Sequence, residues 1–229
     1  MSKIILGIET ATKICSVAIS DGKKLLAIKE EGGEYSHAEK LNGFIEDCLK
    51  DANLSIHQID AIAVSKGPGS YTGLRIGVSS AKGLCYALNK PLISVDTLQA
   101  MALKMKSENT DVDLYCPMVD ARRMEVYTAF YNQQNEKVKE ISAKIIDEQS
   151  FDEELKIKKI IFFGDGAEKC KEVLANNSNA VFSDNGLPSA QFINEIASEK
   201  LENNQLEDVA YFEPYYLKDF IATTAKKLL

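Results

Sequence analysis

Apolar positions in this chain fall into two successive series of short strand-like runs and helical stripes. Residues 3–9, 14–20 and 24–30 are rich in Ile, Val and Leu. They are separated by the polar ETATK segment and by Asp21-Gly22, a two-residue hairpin signature, and they predict three antiparallel strands. Ser36 stands three positions before Glu39, a capping box, and Ala38, Leu41, Phe44, Ile45, Cys48 and Leu49 mark one face of the helix that follows. A strand over 60–66, a glycine-rich turn into a helix, a strand over 91–95 and a helix over 97–106 complete the first series. The second predicts strands at 114–119, 124–131 and 136–146, a helix at 149–156, a strand at 159–163, a helix at 166–175, a brief strand at 180–182 and a helix at 189–203. Two copies of βββαβαβα predict a duplicated α/β fold. The polar, non-periodic SENTDVD segment at 107–113 divides it into subdomains 1–108 and 109–229.

The turn into the second helix carries most of the functional signal. In KGPGSYTGLRIGVSSAKGL, residues 66–84, Gly67, Gly69 and Gly73 flank a turn stiffened by Pro68, which offers backbone amides to an anion or to a neighbouring backbone. It is neither a Walker loop, because Leu74 and Arg75 follow Gly73, nor a dinucleotide fingerprint, which its glycine spacing misses by one residue. Within the helix, Gly73, Gly77, Ala81 and Cys85 recur every four residues as a stripe almost free of side chains. Helical glycine costs roughly 1 kcal/mol against alanine, so a close-packed element must compensate, either within the chain or on another subunit. We expect the latter, with Ile76, Leu84 and Leu88 facing the chain's own sheet.

GPGSYTGLRIG followed by AKGL resembles the loop and helix of the TsaB (YeaZ) family. Three further segments match in order: IILGIETATKICSVAIS at 4–20, SHAEKL at 36–41 and PMVDARRMEVYTAFY at 117–131. The likeness is good over the first 130 or so residues and weak beyond. It implies the actin-like, Hsp70-like and sugar-kinase-like (ribonuclease H-like) fold. It also implies the role of a non-catalytic subunit in making threonylcarbamoyladenosine next to the tRNA anticodon. The implied partners are a TsaD-type catalytic paralogue, which carries the metal and the transfer chemistry, and a TsaE-type P-loop ATPase. The family's partner surface then falls on His37 and Leu41 of one helix and Gly73, Gly77 and Ala81 of the next, bordered by Gly67, Gly69, Ser70, Thr72 and Arg75 of the glycine loop. An isolated chain is expected to pair with itself there by a twofold contact.

Charge narrows the partners. With 27 Lys and Arg against 34 Asp and Glu, the net charge of -7 disfavours unaided binding to a polyanion, so tRNA is expected to be held through the complex. Five scattered cysteines without paired spacing read as reduced core thiols. The short apolar run before Glu9 is too brief for a signal peptide or membrane span, so a cytoplasmic location is expected.

No cofactor or metal is expected. Glu9-Thr10-Ala11-Thr12 stands where a nucleotide-hydrolysing member of the fold needs a glycine hairpin around the phosphates, and the glycine is missing. This weighs against the alternative of a stand-alone ATP-dependent kinase or ATPase. Gly164-Asp165-Gly166 reads as a second phosphate loop or, more simply, as a strand-to-helix turn. The only histidines, His37 and His57, lie on different elements, and Thr97 and Met101 occupy the places of the histidine pair in the TsaD family. A glycoprotease reading finds no GxSxG elbow. Arg122 and Arg123 in the DARR turn read equally as an anion contact and as part of a salt-bridged hairpin. The tail Glu213-Pro214-Tyr215-Tyr216-Leu217-Lys218 resembles a family tail motif that ends in Arg, from which Lys218 departs.

Overall fold

A computed structural model describes residues 3–33, 37–109 and 111–218. The capping box at Ser36 and the residues after Lys218 lie outside them. The first sheet contains β1 (Ile4–Glu9), β2 (Ile14–Asp21), β3 (Lys24–Gly32), β4 (Ala61–Gly67) and β5 (Leu92–Asp96) in the order β3-β2-β1-β4-β5. β1 pairs antiparallel with β2, from Ile4↔Asp21 to Glu9↔Ser16, and parallel with β4, from Ile5↔Ala61 to Ile8↔Val64. The second sheet contains β6 (Leu114–Asp120), β7 (Glu125–Tyr131), β8 (Lys137–Ile145), β9 (Ile160–Phe163) and β10 (Ala180–Ser183) in the order β10-β9-β6-β7-β8. Numbered within its own half, each sheet reads third, second, first, fourth, fifth, so the topology is duplicated.

Among the described residues six α-helices cover these sheets: α1 (His37–Asp51), α2 (Tyr71–Leu88), α3 (Thr97–Glu108), α4 (Asp152–Leu155), α5 (Glu168–Leu174) and α6 (Ala190–Glu202). α4 is shorter than the expected 149–156. Phe151 enters it in the left-handed region at φ 67°, and the chain must turn back by Lys159 to begin β9.

Four apolar clusters form the core. α1 and α2 cover one face of the first sheet, with Leu41, Ile45, Cys48, Val78, Ala81 and Cys85 against Leu6, Ile8, Ile62 and Val64. α4 and α5 do the same for the second sheet, through Leu155, Cys170 and Leu174. The third helices are exchanged. α3 lays Leu98, Met101, Ala102 and Met105 on Tyr115, Tyr131, Ile161 and Phe163 of the second sheet, while α6 lays Ile193 and Ala197 on Ile5, Ala63, Ile93 and Val95 of the first. Asn194, fully buried on α6, donates to the Ile5 and Ala18 carbonyls at 3.2 and 3.1 Å and to the Ser20 hydroxyl at 3.1 Å. α3 also turns Ala100 toward the first sheet beside α6, so these two helices lie between the sheets and join the halves. Among the described residues no helix is long and apolar enough to cross a membrane.

Candidate functional site

The turn between β1 and β2 lies at the carboxyl end of the parallel strands, where open α/β sheets place their ligand sites. Its backbone is tied down by hydrogen bonds, although the second Glu9 oxygen, Oε2, is buried without a partner among the described residues. The Ala11 amide donates to Glu9 Oε1 at 2.5 Å, and the Ile14 amide donates to the Thr12 hydroxyl at 3.2 Å. Ser70, which caps α2, donates its amide to the Ala11 carbonyl at 2.6 Å, and its hydroxyl accepts from the Gly73 amide at 3.3 Å. The Thr10 hydroxyl donates to the Gly73 carbonyl at 2.8 Å. His37 Nε2, at the start of α1, donates to the Thr12 carbonyl at 2.7 Å.

The glycines make this closure sterically feasible. A Cβ at Gly69, Gly73 or Gly77 would stand under 3.0 Å from the Ala11 carbonyl, the Thr10 carbonyl and the Thr10 hydroxyl respectively. The stripe therefore faces inward. Gly73, Gly77 and Ala81 are buried against β1 and its turn, and Leu41 is only 2% exposed in the same core. This corrects the expectation that these four residues meet another subunit, since the compensating neighbour is the chain's own hairpin. Ile76, Leu84 and Leu88, expected against the sheet, are only half-buried.

Glu9 ends β1 and is fully buried. Burial pushes its carboxyl up to about 7, opposed by the Ala11 amide and the Ser65 hydroxyl and reinforced by the charge of Glu30. The carboxyl is closed off from bulk solvent. The second glycine turn is likewise structural. Gly164 lies at φ 103° with room for no Cβ beside the Met118 carbonyl, to which the Gly166 amide donates at 2.9 Å. Beside it lies a cleft of 260 Å³ lined by Asp165, Glu168, Phe182 and Asp184 among others. Its acidic lining disfavours an anion.

Among the described residues no three His, Cys, Asp or Glu side chains gather as metal ligands. Thr97 and Met101 are buried in the core. Arg122 and Arg123 are both exposed, at φ 71° and 51° in the turn between β6 and β7. The turn is closed by the Arg122 amide donating to Asp120 Oδ1 at 2.9 Å, and the ion pair on Asp120 comes from Lys169.

What remains open is the outer face of α1 and α2. Thr72, Arg75, Ser79, Gly83 and Tyr86 follow one another along α2 at helical spacing and are all exposed, Tyr86 to 88%. Gly83, and Gly43 on α1, have nothing within 4 Å of a Cβ built on them. Of the loop residues, Gly67, Gly69 and Gly73 are used in packing, while Ser70, Thr72 and Arg75 reach solvent; Arg75 Nη1 donates to the Tyr71 hydroxyl at 2.8 Å. The sequence reading passed over Gly43 and Gly83, whose signal is a glycine in a helix interior with no neighbouring element that requires it.

Residues 29–228 match the family model described as TsaD: tRNA N6-adenosine threonylcarbamoyltransferase. The tRNA threonylcarbamoyladenosine biosynthesis protein TsaB of Haemophilus influenzae is 30% identical over 98% of this chain and 96% of its own length. The Escherichia coli protein of the same name is 30% identical over 95% and 96%. A solved structure of YeaZ from Pseudomonas aeruginosa superposes with a TM-score of 0.78 at 25% identity, covering 94% of this chain and all of that one. An ADPNP-bound activator of 2-hydroxyisocaproyl-CoA dehydratase from Clostridium difficile, at 8% identity and a TM-score of 0.50, shares the fold alone. With the duplicated actin-like α/β fold and near full-length likeness to curated relatives of one name, the chain belongs to the TsaB family.

Proposed function

We propose that this chain is an accessory subunit for threonylcarbamoyl transfer to the tRNA adenosine beside the anticodon, acting by holding or activating a TsaD-type catalytic paralogue. The observation that carries this reading is the closed β1–β2 turn. Where a nucleotide-binding member of the fold needs free backbone amides, Gly69 and Gly73 bring α2 into direct contact with Thr10 and Ala11. Among the described residues nothing lies within 4 Å of a Cβ built on Gly43 of α1 or Gly83 of α2, and these two bare glycines suit a helix approaching at short distance. The partner surface is thus assigned to Gly43 on α1 and to Thr72, Arg75, Ser79, Gly83 and Tyr86 on α2, with His37 bordering it. The isolated chain pairs with itself through the same face, and a TsaE-type ATPase joins the assembled complex. tRNA is held mainly by the partner, with Arg122 and Arg123 as this chain's contact to an anion, and the location is cytoplasmic.

The test is to mix the purified chain with the TsaD-like protein of its own organism and measure complex mass by analytical ultracentrifugation, together with threonylcarbamoyladenosine formation. Wild type should form the complex and support the modification. Gly83→Trp should abolish both while keeping a native circular dichroism spectrum. Undiminished association of that variant would move the interface elsewhere, and transfer by this chain alone would overturn the accessory role.

A further inference from the structure

The segment after α6 has no regular secondary structure, yet it is tied down along its length. The Glu207 amide donates to the Leu92 carbonyl at 2.9 Å on the open edge of β5, and its carboxylate accepts from the Ser94 hydroxyl. Val209 and Phe212 pack against the first core. Lys82 of α2 donates its ammonium to the Ala210 and Phe212 carbonyls at 3.1 and 2.9 Å.

The segment then crosses the glycine loop. An irregularity in the pairing of β4 with β5, between Ser65 and Gly67, leaves the Lys66 carbonyl outside the ladder, and the Tyr215 amide donates to it at 2.7 Å. The Tyr215 carbonyl covers Gly67, which at φ 112° has no room for a Cβ there. The Tyr216 ring lies 4.9 Å from that of Tyr71 in the first turn of α2. Finally, Lys218 forms an ion pair with Glu125 at the start of β7, in the other half of the molecule.

We propose that residues 205–218 are a strap between the halves, which presses the Gly67–Ser70 loop onto the β1–β2 turn and latches on Glu125. The inner side of that loop holds Ala11 through the Ser70 amide, and its outer side meets the strap at the Lys66 carbonyl, so the loop lies between two backbone hydrogen bonds, one on each side. Most of the anchors lie on the first half and the last on the second. Release of the Lys218 end therefore detaches the strap from the second half and loosens the Gly67–Ser70 loop, while α3 and α6 still join the halves. The strap belongs to this chain alone and does not depend on the accessory role proposed above.

Hydrogen exchange followed by mass spectrometry on the full-length protein tests the strap, with two variants that cut the latch from opposite sides: Tyr216→Ala with Lys218→Ala, and Glu125→Gln. In both, exchange should rise about tenfold over residues 66–74 and 120–127, with the central strands β1 and β6 unchanged. Should the double variant fail to fold, Glu125→Gln alone decides. Exchange unchanged at either end of the strap, or raised equally throughout the chain, overturns the proposal.

Discussion

Thr10 and Gly73 meet at backbone distance: the Thr10 hydroxyl donates to the Gly73 carbonyl at 2.8 Å, and the Thr10 carbonyl fills the space that a Cβ on Gly73 would need. Both obstructing atoms at Gly73 and Gly69 belong to the backbone, which cannot rotate out of the way. Gly73→Ala should therefore destabilise the chain by about 3 kcal/mol, the upper range of overpacking costs, seen as a lower urea midpoint with unchanged slope. A cost below about 0.5 kcal/mol would mean that the turn yields easily and the closure is loose.

The opposite result is expected at the two open glycines. With nothing within 4 Å of their built Cβ atoms, Gly43→Ala and Gly83→Ala should each stabilise the isolated chain by about 0.5–1 kcal/mol, since helical glycine is the less favourable residue. If a partner approaches through these positions, the same substitutions should weaken the complex. Thermal melts of the chain alone, set beside its binding isotherm for the TsaD-like protein, would separate the two effects.

Glu9 should make stability depend on pH. Its carboxyl sits at about 7 in the folded chain against an ordinary value of 4.5, so between these values the folded state holds the proton more firmly. The stability contributed by the neutral form is present in full below 4.5 and is lost as pH rises through 7. The loss amounts to about 3 kcal/mol. Urea midpoints of wild type and Glu9→Gln across this range should diverge, with the wild type losing ground as pH rises. Parallel curves would show that the carboxyl is already ionised inside the fold.

Asn194 fixes the exchanged helix α6 to the first sheet through three hydrogen bonds, and Gly7 makes room for its side-chain oxygen. Asn194→Ala should cost about 2–3 kcal/mol by leaving buried acceptors unpaired and a void behind. Calorimetry should show a lower unfolding temperature, and proteolysis should begin near α6.

The order of strands and helices was readable because each element buries one face, and burial imposes a period of two or of 3.6 on the apolar residues. That signal does not say which sheet a helix will cover. The apolar faces of α3 and α6 look alike in sequence whether they pack on their own half or on the other. The small-residue stripe on α2 was visible, but its direction was not. Apolar weight pointed Ile76, Leu84 and Leu88 toward the sheet, where Ile76 and Leu84 do reach the core from its margin, whereas the closest approach, against Thr10, is possible only because Gly73 and Gly77 carry no side chain. Of the segment 205–218 the sequence showed only the tail motif at 213–218 and not where it lies, because its path is set largely by carbonyls and amides that every residue type shares.

All five cysteines of the chain lie buried as free thiols, and burial raises each of them, Cys15 and Cys48 to about 11 and Cys85 and Cys116 to about 12. Thiolate is the reactive form, so the native protein should be silent toward maleimides at neutral pH. A single cysteine placed at an exposed position, for example Tyr86→Cys, would then be the sole labelling point without removal of any native sulfur. Fluorescent or spin labels could be installed there directly, and slow reaction at the native thiols would time the rare openings of each core separately.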